Sequence, residues 1–466
     1  MQQKGAVQMG KSGPYSAMGN LREHSVTVRH DPTSKRAQIA AKAQSNPKEQ
    51  FNNLMHHMNP ELILDCLSQM SKSSAPGTDG LTVEQARKNA CWLLPPLLSK
   101  IHKGEYQAPA VKRVYIPKDN GSQRPIGIPA VLDRALQAGM AQILNEIYEQ
   151  DFLPCSFGFR PELGCHNALA TVNELIGKQN MRYALEVDLR DFFGSLSHKW
   201  LRKFLEVRVK DKRVLKLIES WLKAGVVEDG QWQKSDIGTP QGGSISPLLA
   251  NIYLHYVVDL WFEKKIKGQL RGRAQLVRYA DDFVILFENP EDIQDVRTLL
   301  EARLAQFELS IADTKTHTAD LLPRNNQTGR GRRHIELLGF SIILAKNRSG
   351  TGHKIVFRTS SKSFTRAKAN MKQALFKMMH WDLECQAVRI NSILRGHYNY
   401  FGLAGNIARL NNFRRETVRY WRHCLSRRSQ RSKLNWDKFQ TILDRRLLIK
   451  PCLKIPYAKL ADYVRL

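Results

Sequence analysis

The sequence predicts an α+β protein in which a mixed helix and strand region is followed by a strongly basic helical domain. Three observations carry that expectation: two hairpin patterns, helical periodicities around them, and a concentration of positive charge towards the carboxy terminus. The 466 residues leave room for roughly three units at about 150 residues each. A chain that is 42% hydrophobic and 25% charged has the composition of a globular protein, which excludes wholesale disorder. Its net charge of +29 would be self-repelling without a polyanion. No run approaches the roughly 18 consecutive apolar residues of a spanning helix, so the expected anion is nucleic acid and not a membrane. Met1 to Asn20 carries no apolar run of signal-peptide length. The seven cysteines form no C-x-x-C pair and read as reduced thiols that supply no zinc site.

Residues 1–45 are polar and aperiodic, with Gly5, Gly10, Gly13, Pro14 and Pro32 as breakers, and are expected to be a flexible basic arm. From Pro47 the residues Phe51, Leu54, Met55 and Met58 fall at helical spacing, and after Pro60 so do Ile63, Leu64, Leu67 and Met70. Thr82, with Glu84 and Gln85 downstream, is placed to start another helix. Val114 to Ile128 reads as a hairpin turning at Asp119-Asn120-Gly121, and Leu132 to Tyr148 as helix. Tyr183 to Asp188 reads as a strand and Leu201 to Lys223 as helical. In Leu276 to Phe287 two apolar arms flank Asp281-Asp282, the clearest hairpin in the chain. Between Lys354 and Lys433, 18 lysines and arginines face three acids, a net of +15 in 80 residues with apolar residues at helical spacing.

Two adjacent carboxylates at the tip of an apolar hairpin repel each other, and a divalent cation offsets that cost. Alone, Asp281-Asp282 is more often a turn facing water. A third acid, Asp188, ends the apolar strand Ala184-Leu185-Glu186-Val187-Asp188. Three such acids can hold two Mg²⁺ ions for in-line phosphoryl transfer, which points to nucleotidyl transfer.

With its neighbours, Tyr279-Ala280-Asp281-Asp282 resembles the metal box of the group II intron reverse transcriptase/maturase family. The supporting blocks, in order, are Ala75-Pro76-Gly77-Thr78-Asp79-Gly80, Ile116-Pro117-Lys118, and Arg124-Pro125-Ile126-Gly127-Ile128-Pro129. They continue with Ser156-Phe157-Gly158-Phe159-Arg160-Pro161, Asp188, Gly238-Thr239-Pro240-Gln241-Gly242-Gly243, Lys315 and Leu338-Gly339-Phe340. The resemblance is strong over about residues 50–345. It implies a right-hand polymerase with fingers and palm over 46–345 and a helical thumb/maturase domain over 346–466. It further implies that the carbonyl of Leu189 joins Asp188, Asp281 and Asp282 in holding two Mg²⁺. Lys118 and Arg124 match triphosphate-binding positions, Phe193 a steric gate favouring dNTPs, and Gln241 a contact to the bound nucleotide. Arg160 matches a contact to template or incoming base, although a surface salt bridge would equally explain it. Phe192 is expected to face the core, because strand neighbours face opposite sides. Where many members have a Gly and a later Asp after the first catalytic acid, this chain reads Asp191 and then Gly194.

Ile390 to Gly402, including Arg395, resembles the core of the thumb/maturase domain. Arg414, Arg415, Arg419 and Arg422, interleaved with Tyr420 and Trp421, suit phosphate contacts and base stacking. The basic cluster Gly329-Arg330-Gly331-Arg332-Arg333 fits an RNA contact or a solvated loop. The implied partners are group II intron RNA, an RNA template with DNA primer, dNTPs and target DNA, with no membrane, in a bacterial cytoplasm more readily than in an organelle. The alternatives are a related bacterial reverse transcriptase without an intron partner, and an RNA-binding splicing factor that has lost polymerisation.

Overall fold

The structure is a computed structural model and describes residues 35–117, 123–228, 231–233, 238, 242–321, 332–347, 349–350, 352–428 and 434–466. Lys118, the Asp119-Asn120-Gly121 turn, Gln241, Gly329 to Gly331 and the arm before residue 35 lie outside these residues. The described chain divides into two compact units, residues 35–333 with Tyr463–Leu466, and His334–Asp462.

The first unit opens with helix α1 (Lys35–Ser45), inside the stretch expected to be a flexible arm. That expectation is corrected for these residues: Ile39 and Ala43 are buried in the core, an apolar stripe too narrow to stand out in a polar segment. Helix α2 (Pro60–Gln69) starts as its sequence suggests, with Pro60 in the first turn and the Asn59 side chain accepting from the Leu62 amide. Before it, the helical spacing from Pro47 produces only one 3₁₀ turn, Met55–His57. Tertiary bonds take the backbone that a helix would need: Phe51 pairs with Val209, and the Asp211 carboxylate accepts from the amides of Leu54 and Met55.

Helix α3 (Val83–Lys88) begins with a full capping box between Thr82 and Gln85. Helix α4 (Ala90–Lys103) ends at Gly104, whose φ of +72° closes it in the left-handed conformation. Strands β1 (Val111–Pro117) and β2 (Gln123–Ile128) form the expected hairpin, followed by helices α5 (Val131–Tyr148) and α6 (Cys165–Gly177). Next come β3 (Tyr183–Asp188), α7 (Phe192–Ser195), α8 (His198–Arg208) and α9 (Lys212–Leu222). The single helix expected over Leu201 to Lys223 is two, because Asp211 caps α9 at the Arg213 amide.

Strands β4 (Val226–Glu228) and β5 (Gln231–Gln233) extend the first sheet, in order β2-β1-β4-β5. Helix α10 (Ser246–Leu254) runs into π-helical turns at His255–Asp259 and Phe262–Ile266. Strands β6 (Ala274–Tyr279) and β7 (Asp282–Phe287), helix α11 (Asp292–Gln306) and strand β8 (His317–Asp320) complete an antiparallel sheet, in order β6-β7-β3-β8. One face of this sheet, carrying Leu185, Val187, Phe283, Ile285 and Phe287, shares a continuous core with residues of α5 and α8 to α11. The last four residues bind α6, with Asn167 Nδ2 donating to the Tyr463 carbonyl at 3.0 Å.

In the second unit β9 (His334–Leu337), β10 (Phe340–Lys346) and β11 (His353–Thr359) form one antiparallel sheet. Helices α12 (Ser361–Lys377), α13 (Leu383–Phe401), α14 (Ile407–Ser426) and α15 (Trp436–Arg445) follow. The boundary expected at 345/346 falls inside β10. Leu338-Gly339 is a turn that joins β9 to β10, and the buried Phe340 packs its ring on Phe357 and Phe401 of this same unit. A second correction concerns Trp421, read above as a stacking platform. It is fully buried with Nε1 donating to Gln386 Oε1 at 2.7 Å, so it is a core residue. All seven cysteines are free thiols, and no described helix is long and apolar enough to cross a membrane.

Asp211 ties the start of the first unit to its middle. Burial alone would raise its pKa, but bonds from the Met55, Leu54 and Arg213 amides and the Arg213 side chain outweigh it and leave the pKa lowered. A depressed carboxylate contributes stability that is present above its unfolded pKa and is lost as pH falls through the lower, folded value. Asp211→Ala should therefore reduce unfolding stability at neutral pH by about 2–3 kcal/mol. It should also flatten the acid limb of a stability–pH curve below about pH 4. An acid limb that superposes on wild type would mean that these bonds contribute nothing.

Candidate active site

Strand β3 is central in its sheet, between β7 and β8, and this sets where its terminal acid points. Alternation puts Leu185, Val187 and Leu189 in the core and Asp188 on the opposite face. On β7 the core side chains are Phe283, Ile285 and Phe287, so Asp282 also faces away from the core. Asp188 and Asp282 are direct cross-strand partners, which brings their side chains together on one face. The hairpin closes one residue earlier than its sequence suggests: Tyr279 pairs with Asp282, and the two turn residues are Ala280 and Asp281. Register with β3 decides this, because it makes Asp282 a strand residue. Ala280 has φ +56°, at the turn position where glycine is the usual choice.

Burial raises the pKa of Asp281, and the charge of Asp188 raises it further, while Arg124 and Arg278 pull it down. The exposed Arg124 of β2 thus acts on the same turn as the acids. Lys315 Nζ lies 3.1 and 3.3 Å from the two oxygens of Asp188, a cation against the strand-end carboxylate. Beside it, the Ala312 amide donates to the Asp188 carbonyl and the Arg190 amide to the Ser310 carbonyl, bracketing a bridge between Leu189 and Ile311. In such a non-hydrogen-bonded pair the carbonyl of Leu189 points away from Ile311, towards the β7 side.

Among the described residues, no three histidine, cysteine or acidic side chains form a ready-made metal cage. Mg²⁺ does not require one, since it keeps waters and combines one or two carboxylates with substrate phosphates. Two paired acids, a third in the adjoining turn and a carbonyl directed to the same side fit that donor set.

After β3 the chain turns through Asp191, with φ +39°, into the short helix α7. A Cβ on Gly194 would lie 2.2 Å from Asp191 Oδ2, so the acid at 191 and the glycine at 194 are sterically coupled. Phe192 is buried, as its alternation suggests, while Phe193 is half-buried with its ring 5.3 Å from that of Phe192. Gly238 (φ +85°) lies against the carbonyls of Phe193 and Gly194, and Gly242 (φ +137°) against the carbonyl of Gly127 in β2. Gly238 thus lies against the Phe193 helix, and Gly242 against the strand carrying Arg124.

Arg160 is turned inward. Its Nε donates to Glu149 Oε2 at 3.0 Å, its Nη1 donates to the carbonyls of Leu153 and Ser156, and its guanidinium lies over the Phe152 ring.

The residues missing from the sequence reading lie behind the turn. Arg278 is fully buried and bidentate to Asp259, at 2.7 and 2.5 Å. It also donates to Asn251 Oδ1, Ser156 Oγ and the carbonyl of Ala280, the residue before Asp281. Asn251 in turn donates to the carbonyl of Gly158, whose missing side chain lets it pack on the Ala280 amide, 2.5 Å from where a Cβ would stand. A signal existed: Arg278 and Asp259 are lone opposite charges within apolar runs, Leu276 to Tyr279 and Tyr253 to Trp261.

In the second unit the arginines divide. Arg422 donates to the Leu434 carbonyl and lies over Trp436, and Arg414 is half-buried and donates to the Leu448 carbonyl. Arg395, Arg415 and Arg419 are exposed on α13 and α14; Arg415 and Arg419 bond locally to Asn412 and Glu416.

Carboxylates on one face of an antiparallel sheet, beside the Arg124 strand and the glycines at 238 and 242, suit a nucleotidyl-transferring polymerase. Residues 116–342 match the reverse transcriptase (RNA-dependent DNA polymerase) family, and the chain belongs to that family as an RNA-directed DNA polymerase. It is similar to the group II intron-encoded protein LtrA of Lactococcus lactis subsp. cremoris, 28% identical over 458 residues, covering 80% of this chain and 74% of LtrA. It is 33% identical over 280 residues to protein YkfC of Escherichia coli, covering 53% of this chain and 74% of YkfC. A putative COX1/OXI3 intron 1 protein of Saccharomyces cerevisiae is 29% identical over 232 residues, 49% of this chain and 28% of that protein.

Removing Arg278 would leave Asp259 charged, buried and unpaired, a change that typically costs about 3–5 kcal/mol. Arg278→Leu should show that loss in thermal or denaturant unfolding, and Arg278→Leu with Asp259→Leu should recover much of it. A double variant as unstable as the single one would mean that Arg278 matters through its backbone and Asn251 bonds, and not through the pair.

Proposed function

We propose that this chain copies RNA into cDNA by two-magnesium nucleotidyl transfer and also serves a group II intron RNA as a maturase, assisting splicing and retrohoming. In this reading the first unit supplies fingers and palm and the second the thumb, in a bacterial cytoplasm. The observation that carries the polymerase part is the cross-strand pairing of Asp188 with Asp282, with Asp281 in the adjoining turn under the charge of Arg124. Asp188, Asp281, Asp282 and the Leu189 carbonyl would hold two Mg²⁺. When bound, these ions supply an activated primer 3′-hydroxyl and neutralise charge on the leaving pyrophosphate.

The protein's own side chains do the rest. Arg124, with Lys118, binds the triphosphate of the incoming dNTP. Phe193 closes the space that a ribose 2′-hydroxyl would need, and Gln241 contacts the nucleotide. Arg160 orders the loop that faces the template more directly than it touches the template, because its guanidinium is already bonded within the protein. Lys315 balances the charge of Asp188, where a bound metal would supply positive charge.

Two observations support the intron part. The similarity to LtrA covers 80% of the chain, too much to stop at residue 333, so it extends into the second unit. That unit presents Arg395, Arg415 and Arg419 on its surface. Target DNA follows as a partner from retrohoming.

Primer extension on an RNA template with dNTPs and Mg²⁺ tests the first part. Wild type should give long cDNA and Asp281→Ala none, with intron RNA binding retained by both; loss of both activities in the variant would argue against a separable catalytic site. For the second part, Arg395, Arg415 and Arg419 replaced together by Ala should weaken intron RNA binding. The slope of log affinity on log salt should fall by about 2, at roughly 0.7 per lost phosphate contact. An unchanged slope would place the RNA elsewhere.

A further inference from the structure

Phe159 sits where a phenylalanine is hard to justify by folding. Its φ is +58°, a left-handed backbone that bulky residues rarely adopt, and the residue is 42% exposed, so little core packing repays the strain. The conformation is imposed from both sides. The Phe157 amide donates to the Arg278 carbonyl, the Gly158 carbonyl accepts from Asn251, and the Arg160 guanidinium is tied to Glu149, Leu153 and Ser156. Between these anchors Gly158 packs directly on the Ala280 amide, so residue 159 emerges at the edge of the turn that carries Asp281. The Phe159 ring lies 6.2 Å from the ring of Tyr279, tilted by 45°, and Tyr279 precedes the turn by one residue. The exposed Phe159 and the half-buried Tyr279 are thus held beside the acids by the same buried network that holds the acids.

We propose that Phe159 is a nucleic-acid contact: its ring, with Tyr279, packs against the nucleotides of the primer–template duplex next to the reacting 3′ end. The inference rests on the reading of the Asp281 turn as the polymerisation centre. Aromatic faces suit this task because every nucleotide offers a flat apolar surface whatever its base, so the contact adds affinity without sequence preference. A rigid loop suits it too, since a ring already fixed in place loses little freedom when the duplex arrives.

The strain makes the test discriminating. Phe159→Gly removes the ring and places at φ +58° the residue that tolerates it best, so the melting temperature should not fall. Binding of a fluorescently labelled RNA–DNA primer–template, followed by anisotropy, should weaken by about tenfold. The KM for dNTP should stay unchanged and cDNA lengths should shorten. Phe159→Tyr should bind as wild type does. If Phe159→Gly binds and extends like wild type, or if its melting temperature drops, the ring is a surface or structural residue and the proposal fails. Asp281→Ala, measured alongside, separates the two readings. It should keep primer–template affinity and lose extension; if it still extends, the assignment of the catalytic turn fails whatever Phe159 does.

Discussion

Arg278 has no exposed surface, yet it carries a full charge, and the geometry of the acidic turn follows from how that charge is satisfied. Desolvating a guanidinium is tolerable only with well-placed partners. Here they are the Asp259 carboxylate, Asn251, Ser156 and the Ala280 carbonyl. Each comes from a different segment: the π-helical turn after α10, α10 itself, the loop before α6 and the hairpin tip. One side chain therefore fixes four pieces of backbone relative to Asp281, and a network of this kind, once satisfied, has few alternative arrangements. The π-helical turn belongs to the same design, since such turns redirect side chains locally and recur at functional sites.

Strain and close approach cluster around this network. Ala280, Phe159 and Asp191 all have positive φ without being glycine. Glycines 158, 194, 238 and 242 lie where a Cβ would collide with the backbone or with a neighbouring side chain. These features pack Gly238 on the Phe193 helix and Gly242 on the β2 strand. The cost in conformational energy is carried by the continuous apolar core on the other face of the sheet.

Charge is handled differently in the two units. In the first, arginines such as Arg278 and Arg160 are turned inward and act as cross-links. In the second, Arg422 and Arg428 bond to main-chain carbonyls, while Arg395, Arg415 and Arg419 project outward. A run of arginines is thus two populations, one that builds the helical unit and one that leaves it basic outside. The net charge of +29 counts both and says nothing about which is which.

Much of this was legible in the order of residues. The strand Tyr183 to Asp188, the capped start at Thr82, the β1–β2 hairpin and the acidic hairpin all depend on local pattern, because alternation, turn chemistry and capping act over a few residues. The class of chemistry was legible too, since the ordered motif blocks point to the reverse transcriptase family that residues 116–342 match. What local pattern cannot contain is contact between distant segments. It missed helix α1, whose stability comes from burial of Ile39 and Ala43 against the core, and it offered a helix near Phe51, where distant backbone and Asp211 claim the hydrogen bonds. It also assigned Trp421 to the surface, although Gln386 holds it inside. The pairing of Asp188 with Asp282, the one-residue shift of the turn and the Arg278 network were decided by tertiary structure alone. Register and buried charge are satisfied only when strands and helices far apart in sequence come together.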